Sequence, residues 1–171
     1  MLSFRQASIE DLDGAWRVVD DARNKMIEIG RHQWTADYPS IEHLRADISL
    51  GHAFIIADGD EIVAYGAVAE DGEPEYENII GRWLSLGHYM VVHRLAVSPP
   101  CQGRGLSKQF FTDVEDLCRQ RGIHSIKVDT NYDNVQMLGI MSKLGYEKCG
   151  EIDYHERGMR IAFEKLLLDH G

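Results

Sequence analysis

The chain has 171 residues, of which 18 are basic and 28 acidic, giving a formal charge of −10 at pH 7. That balance excludes a nucleic-acid partner held by phosphate contacts, which needs clustered lysine and arginine. Hydrophobic residues at 44% and charged residues at 27% exclude disordered and collagen-like classes, and no apolar run approaches the roughly 20 residues of a membrane span, so no membrane partner is expected.

The length predicts one domain over residues 1–171. The polar start Met1–Gly14 lacks a charged-then-apolar export pattern, which predicts a cytoplasmic protein. Residues Leu2 to Ala7 suit a first strand. Ser8 then caps a helix, with Asp11 completing a capping-box variant. Leu12, Ala15, Trp16, Val19, Ala22, Met26 and Ile29 repeat at helical spacing, so one face is buried, and Gly30 stops the helix. Ser40 caps a second helix that buries Ile41, Leu44 and Ile48 and ends near Gly51. Ala53 to Ala57 and Glu61 to Ala69 flank the hairpin signal Asp58-Gly59. The stretch from Glu70 to Glu77 holds five acids around Pro74 and reads as a solvated loop, or as an acidic rim for a cationic substrate. Tyr89 to Val97 is the strongest strand. Tyr89, Val91, His93, Leu95 and Val97 share one face by alternation. Leu106 to Cys118 marks a helix closed by Arg119, Arg121 and Gly122. Ile123 to Asp129 reads as a strand. Asp133 or Asn134 caps a helix stopped by Gly145, and Tyr146 to Ile152 and Met159 to Leu167 close the sheet. Strands mixed with helices in this order imply an α/β or α+β sandwich.

The chemistry concentrates where a strand runs through Ser98-Pro99-Pro100-Cys101 into Gln102-Gly103-Arg104-Gly105-Leu106-Ser107 and opens a helix. First-turn amides lack internal partners and sit at the positive end of the helix dipole, so the turn suits a phosphate. The turn is neither a GxxxxGK[ST] loop nor a GxGxxG fingerprint, because Lys108 stands at the third glycine position; read alone, it is also a plain strand–turn–helix connection. Cys101, Cys118 and Cys149 lack CxxC spacing and read as free thiols. No HExxH or His/Cys knuckle occurs, so no metal is expected.

Gln102-x-x-Gly105-x-Ser107, preceded by the strand His93-Arg94-Leu95-Ala96-Val97, resembles the Q/R-x-x-G-x-G/A signature of the GCN5-related N-acetyltransferase (GNAT) superfamily. Downstream, Asn134-Val135-Gln136-Met137 and Ile140-Met141-Ser142-Lys143-Leu144-Gly145-Tyr146 are similar to that family's N-x-x-A-x-x-L-Y-x-K-x-G-F segment. The resemblance covers nearly the whole chain. It implies a mixed, mostly antiparallel central sheet of about seven strands, flanked by about four helices and splayed between strands four and five. It further implies acetyl-CoA as co-substrate. The main chain of Leu95, Ala96 and Val97 would hold the pantetheine arm. The amides of Gln102, Gly103, Arg104, Gly105, Leu106 and Ser107 would cradle the diphosphate, with Asn134, or Asn131 in its place, facing the arm. Dimers are common in the family, so a homodimer is compatible. Two departures stand out: Ser107 replaces glycine or alanine, and Met141 occupies the position of a tyrosine that protonates the leaving thiolate. A thioether donates no proton.

The implied reaction is direct attack of an amine, from a small molecule or a peptide, on the thioester. A lysine-like amine of pKa ~10.4 is only about 0.04% neutral at pH 7, so a base must assist. His93 titrates near neutrality and leads as base; it also reads as a histidine packed under the sheet and hydrogen-bonded to backbone. Asp129 is the second base candidate, or a cap. Tyr132 and Tyr154 are candidate acids, Tyr132 also reading as loop packing, and solvent can protonate the thiolate. The Val97 amide is the expected oxyanion donor. On the acceptor side, Trp34 and Tyr38 between the first two helices, with Trp83 and Tyr89, offer aromatic walls for an amine, although Trp34 also reads as a loop anchor; Asp37 and Glu70 offer charge. Two other readings stay open: an acyl-CoA-binding sensor without turnover, which Met141 favours, and an acyltransferase with another acyl donor or an oxygen acceptor.

Overall fold

The structure, a computed structural model, describes residues 1–168. Its strands are β1 Leu2–Gln6, β2 Ala53–Asp58, β3 Glu61–Glu70, β4 Ile80–Gly81, β5 Met90–Val97, β6 Ser125–Thr130, β7 Glu147–Asp153 and β8 Met159–Leu166. The helices are α1 Leu12–Glu28, α2 Ile41–Ser49, α3 Leu106–Arg121 and α4 Val135–Leu144. One mostly antiparallel sheet of eight strands runs in the order β1-β2-β3-β5-β6-β8-β7-β4. The strand that sequence patterning misses is β4, whose two residues are too few to show a period. Two compact units divide the chain: Met1–Val68 with His93–Asp113, and Ala69–Val92 with the chain from Val114 onward.

In the first unit, the Ser8 amide donates to Asp11 Oδ2 at 2.8 Å, closing the expected capping box. The first turn, Ile9–Asp11, is 3-10 rather than α. Arg5 grips the Asp11 carboxylate through two hydrogen bonds of 2.8 and 2.9 Å. Leu12, Ala15, Val18, Val19 and Ala22 of α1 pack with Leu44 of α2, Ile55 of β2 and Tyr65 of β3. Ile29 lies past the helix end and is exposed, contrary to the helical count. Ser40 caps α2, its amide donating to His43 Nδ1 at 3.0 Å. β2 and β3 form the expected hairpin and are buried on both faces, so their sequences show apolar runs rather than alternation. Gly66 is the reason Phe110 of α3 can approach β3 so closely: a Cβ there would sit 2.5 Å from the tip of the Phe110 ring. In β5, Arg94 takes φ +52°, a left-handed conformation inside a strand. The alternation that places His93, Leu95 and Val97 on one face therefore does not carry across Arg94.

In the second unit, β6 pairs antiparallel with β8, β8 with β7, and β7 with β4. Met90 and Val91 at the start of β5 pair parallel with Ile126 and Lys127 of β6. Gly81 and Gly150 face each other across β4 and β7, where a Cβ on either would lie within 2.3 Å of the opposite main chain, so only glycine fits. Asn134 caps α4 by accepting from the Met137 amide at 3.2 Å, and Gly145 ends it at φ +82°. The acidic stretch is not simply a solvated loop. It folds into a 3-10 turn, Pro74–Asn78, that buries Tyr76 to 1% exposure. Glu164 of β8 is buried and accepts from the Leu84 amide at 2.7 Å, from Ser125 Oγ at 2.6 Å and from the Ser85 hydroxyl. Lys127 stands opposite it in the β6–β8 register, its ammonium 4.5 Å from the Trp83 ring and 4.2 Å from the Tyr89 ring. Among the described residues no helix is long and apolar enough to cross a membrane, and no group of three His, Cys, Asp or Glu side chains could hold a metal ion.

Candidate active site

The turn between β5 and α3 is exposed from Gln102 to Gly105. Gly103 and Gly105 take φ +86° and +72°, while a Cβ on either would meet nothing within 4 Å. Glycine is required here by conformation rather than by space. Pro99–Cys101 forms a 3-10 turn, and the Gln102 amide donates to the Pro99 carbonyl at 3.1 Å. That bond takes Gln102 out of the expected row of open amides. Its side chain instead donates to the Val97 carbonyl at 3.3 Å, tying the turn to the end of β5. The amides from Gly103 to Ser107 have no main-chain acceptor among the described residues, so five N–H groups stand at the positive end of a 16-residue helix. The Arg104 side chain folds back toward Cys101 Sγ, 4.0 Å away. Leu106 is buried and anchors the first turn of α3.

The second unit gathers a buried carboxylate and two phenols. Asp129, near the end of β6, accepts from the Tyr76 hydroxyl at 2.6 Å and from the Tyr154 hydroxyl at 2.8 Å, both on Oδ2. Burial lifts the Asp129 carboxyl above the usual carboxylate range; the two phenols and the nearby Arg160 and Arg157 charges pull it back. Burial, and then the Asp129 charge, push both phenols above their ordinary range, so they remain protonated donors. Sequence reasoning finds Asp129 and Tyr154 but not Tyr76. The available signal was a single aromatic residue inside an acidic run, which must be packed against something.

The other expected residues are distributed over both units. His93 is half-buried on β5 in the first unit. Tyr132 is 47% exposed, and its hydroxyl donates to Glu151. Asn131 accepts from Arg160 Nη1 at 3.4 Å and donates to Asp133 Oδ1 at 2.9 Å, while Asn134 uses its side-chain oxygen as the α4 cap. Trp34 is 5% exposed in the first unit's core, and the Tyr38 hydroxyl accepts from Arg94 Nη1 at 3.2 Å. Trp83 meets the chain's own Lys127, and its Nε1 donates to the Tyr76 carbonyl at 2.8 Å. Met141 is fully buried in α4.

Known proteins match both the sequence and this architecture. A structure described as an acetyltransferase of the GNAT family from Streptococcus agalactiae superposes with a TM-score of 0.88 and 30% identity, covering 98% of this chain and 96% of that one. A putative acetyltransferase from Staphylococcus aureus gives 0.72 and 26%, covering 96% and 99%. The uncharacterized protein YxbD of Bacillus subtilis is 25% identical over 87 residues, which are 51% of this chain and 52% of that protein. The Acetyltransferase (GNAT) family itself matches residues 18–146. With a turn of open amides leading into α3 and a mixed sheet of this order, the chain belongs to the GNAT acetyltransferase family.

Proposed function

We propose that this protein transfers the acetyl group of acetyl-CoA directly to a primary amine in a ternary complex. The observation that carries the reading is the row of five open amides from Gly103 to Ser107 at the head of α3. Such a row fits a diphosphate better than any neutral group. The co-substrate supplies an activated thioester. The protein holds the diphosphate through those amides and runs the Leu95–Val97 main chain alongside the arm, with Asn134 or Asn131 completing the grip. The Val97 amide stabilises the oxyanion. Much of the rate comes from holding two reactants together.

The acceptor nitrogen must lose a proton before it attacks. His93 and Asp129 are the candidate bases. The two-phenol setting of Asp129 supports it ahead of His93, because it leaves a basic carboxylate bonded only by neutral donors. Tyr154 supplies the acid that Met141 cannot be. Lys127 already faces the Trp83 ring, which favours acceptor contacts elsewhere.

Purified protein incubated with acetyl-CoA and a panel of amines, from spermidine to short peptides, tests the reading. Acceptor-dependent thiol release and a product gaining one acetyl group are expected. Tight acetyl-CoA binding with no acceptor-dependent release would instead establish a non-catalytic acyl-CoA sensor, the reading that the buried Met141 favours. Propionyl- and succinyl-CoA run in parallel distinguish another acyl donor.

A further inference from the structure

We infer that Tyr76 is a positioning residue of the acetyl-transfer site: with Tyr154 it pins one oxygen of Asp129, which turns the other oxygen out to take the proton of the attacking amine. This rests on the proposed reading of Asp129 as the general base.

Tyr76 is itself held from three directions. Its carbonyl accepts from Trp83 Nε1 at 2.8 Å, and its ring packs 5.0 Å from Trp83 and 6.1 Å from Tyr89. Its fully buried side chain has little rotational freedom, so its hydroxyl is a fixed donor to Asp129 Oδ2. Tyr154 reaches the same oxygen from the residue following β7, with Arg157 4.8 Å over its ring. Two donors converging on one oxygen fix the carboxylate's rotation about its Cβ–Cγ bond. Among the described residues no donor reaches Oδ1.

The surrounding charges do not occupy that oxygen either. Arg160 Nη1 bonds the Arg157 carbonyl at 2.7 Å, the Met159 carbonyl at 3.3 Å and Asn131 Oδ1 at 3.4 Å. The groups that set the charge of Asp129 are therefore Tyr76, Tyr154, Arg157 and Arg160, with Glu73 acting on both phenols and Asp133 on Arg160. A carboxylate clamped by a guanidinium is a poor base. One bonded only by phenols keeps its basicity, and the phenols favour its ionised form against the cost of burial. In the proton step an N–H bond of the acceptor ammonium breaks, its electron pair stays on nitrogen, and the proton joins Oδ1. The resulting acid returns that proton to solvent after the amide product leaves.

The test compares three variants, using the panel amine of highest turnover and, independently of any acceptor, the pH titration of the carboxyl ¹³C signal of Asp129. Tyr76→Phe removes one donor and keeps the ring. The Asp129 midpoint and the acid limb of kcat are expected to move up by roughly one pH unit, turnover below the limb to fall about tenfold, and acetyl-CoA affinity to stay unchanged. Tyr154→Phe gives the same upward shift with a lower plateau. Asp129→Asn removes the limb and lowers turnover on the order of 100-fold or more. If Tyr76→Phe does not fold, 3-fluorotyrosine at position 76 strengthens the donor and shifts the midpoint down. An unmoved midpoint in the Tyr76 variants, with the limb lost in Asp129→Asn, overturns the role of Tyr76 alone. A limb that survives Asp129→Asn overturns the base assignment, and the role of Tyr76 with it.

Discussion

Asp47 in the first unit and Asp129 in the second each accept a tyrosine hydroxyl at 2.6 Å, yet the charge around them differs. Asp47, buried on α2, also takes Arg94 Nε on the oxygen that Tyr65 bonds, at 2.9 Å, and Arg94 Nη2 on the other oxygen. Both of its oxygens are occupied, and the charge of Arg94 is neutralised where β5 turns through its left-handed residue. Asp129 has two neutral donors on a single oxygen. A carboxylate closed by a cation fixes a backbone; a carboxylate bonded by phenols remains available to exchange a proton. The same residue types thus serve architecture in one unit and, on the proposed reading, chemistry in the other.

The largest expected effect comes from breaking the first arrangement. Asp47→Ala leaves a buried guanidinium without its partner and is expected to cost about 3–5 kcal/mol in urea unfolding. Asp129→Asn keeps an oxygen acceptor for both phenols, so the same measurement should move by no more than about 1 kcal/mol while acetyl transfer is lost. Equal destabilisation by the two substitutions would erase the distinction. Next in size, Gly105→Asp forces a side chain into a left-handed conformation and puts a carboxylate beside the open amides. Calorimetry should show acetyl-CoA binding weakened on the order of 30-fold, about 2 kcal/mol. Asp129→Asn should leave that binding intact, so the pair separates holding the co-substrate from moving the proton.

The smallest effects lie in pH dependence. Arg5, and then the Ser8 amide, hold the Asp11 carboxyl down at about 2. Its contribution to stability is whole above the usual carboxylate range and is lost as pH falls toward 2. Because the Arg5 side chain is half exposed, solvent limits that contribution to about 1 kcal/mol. Asp11→Asn should flatten the fall in unfolding free energy between about pH 4 and pH 2. Asp129 has the opposite sign. Its raised carboxyl stabilises the fold fully at low pH, and that contribution disappears as pH rises through the folded value, so Asp129→Asn should gain stability relative to the unmodified protein toward neutral pH.

Much of this was legible in the sequence because local signals and tertiary demands agree. Ser8 with Asp11, Ser40, the Asp58-Gly59 hairpin and the glycine turn before α3 stand where local chemistry places them. Other features depend on contacts far along the chain. Tyr76 pairs with Asp129 across 53 positions, so no window of sequence could show the bond. The Arg94 irregularity has no glycine or asparagine in β5 to mark it, and it is held by Asp47, 47 positions away. The Gln102 amide is consumed by the local geometry of Pro99, which motif matching does not register. Trp34 was ambiguous because an aromatic residue in a loop serves a ligand and a core equally well, and here it is packed in the core.

The paired glycines of β4 and β7 have a consequence for solubility. Exposed strand borders invite other chains to add on and polymerise. At this border of the sheet the outermost strand has only two residues, pressed so closely onto β7 that no side chain fits between them. A neighbouring molecule would find little to extend on β4 itself, so the shortness of this strand works against fibril growth on that side.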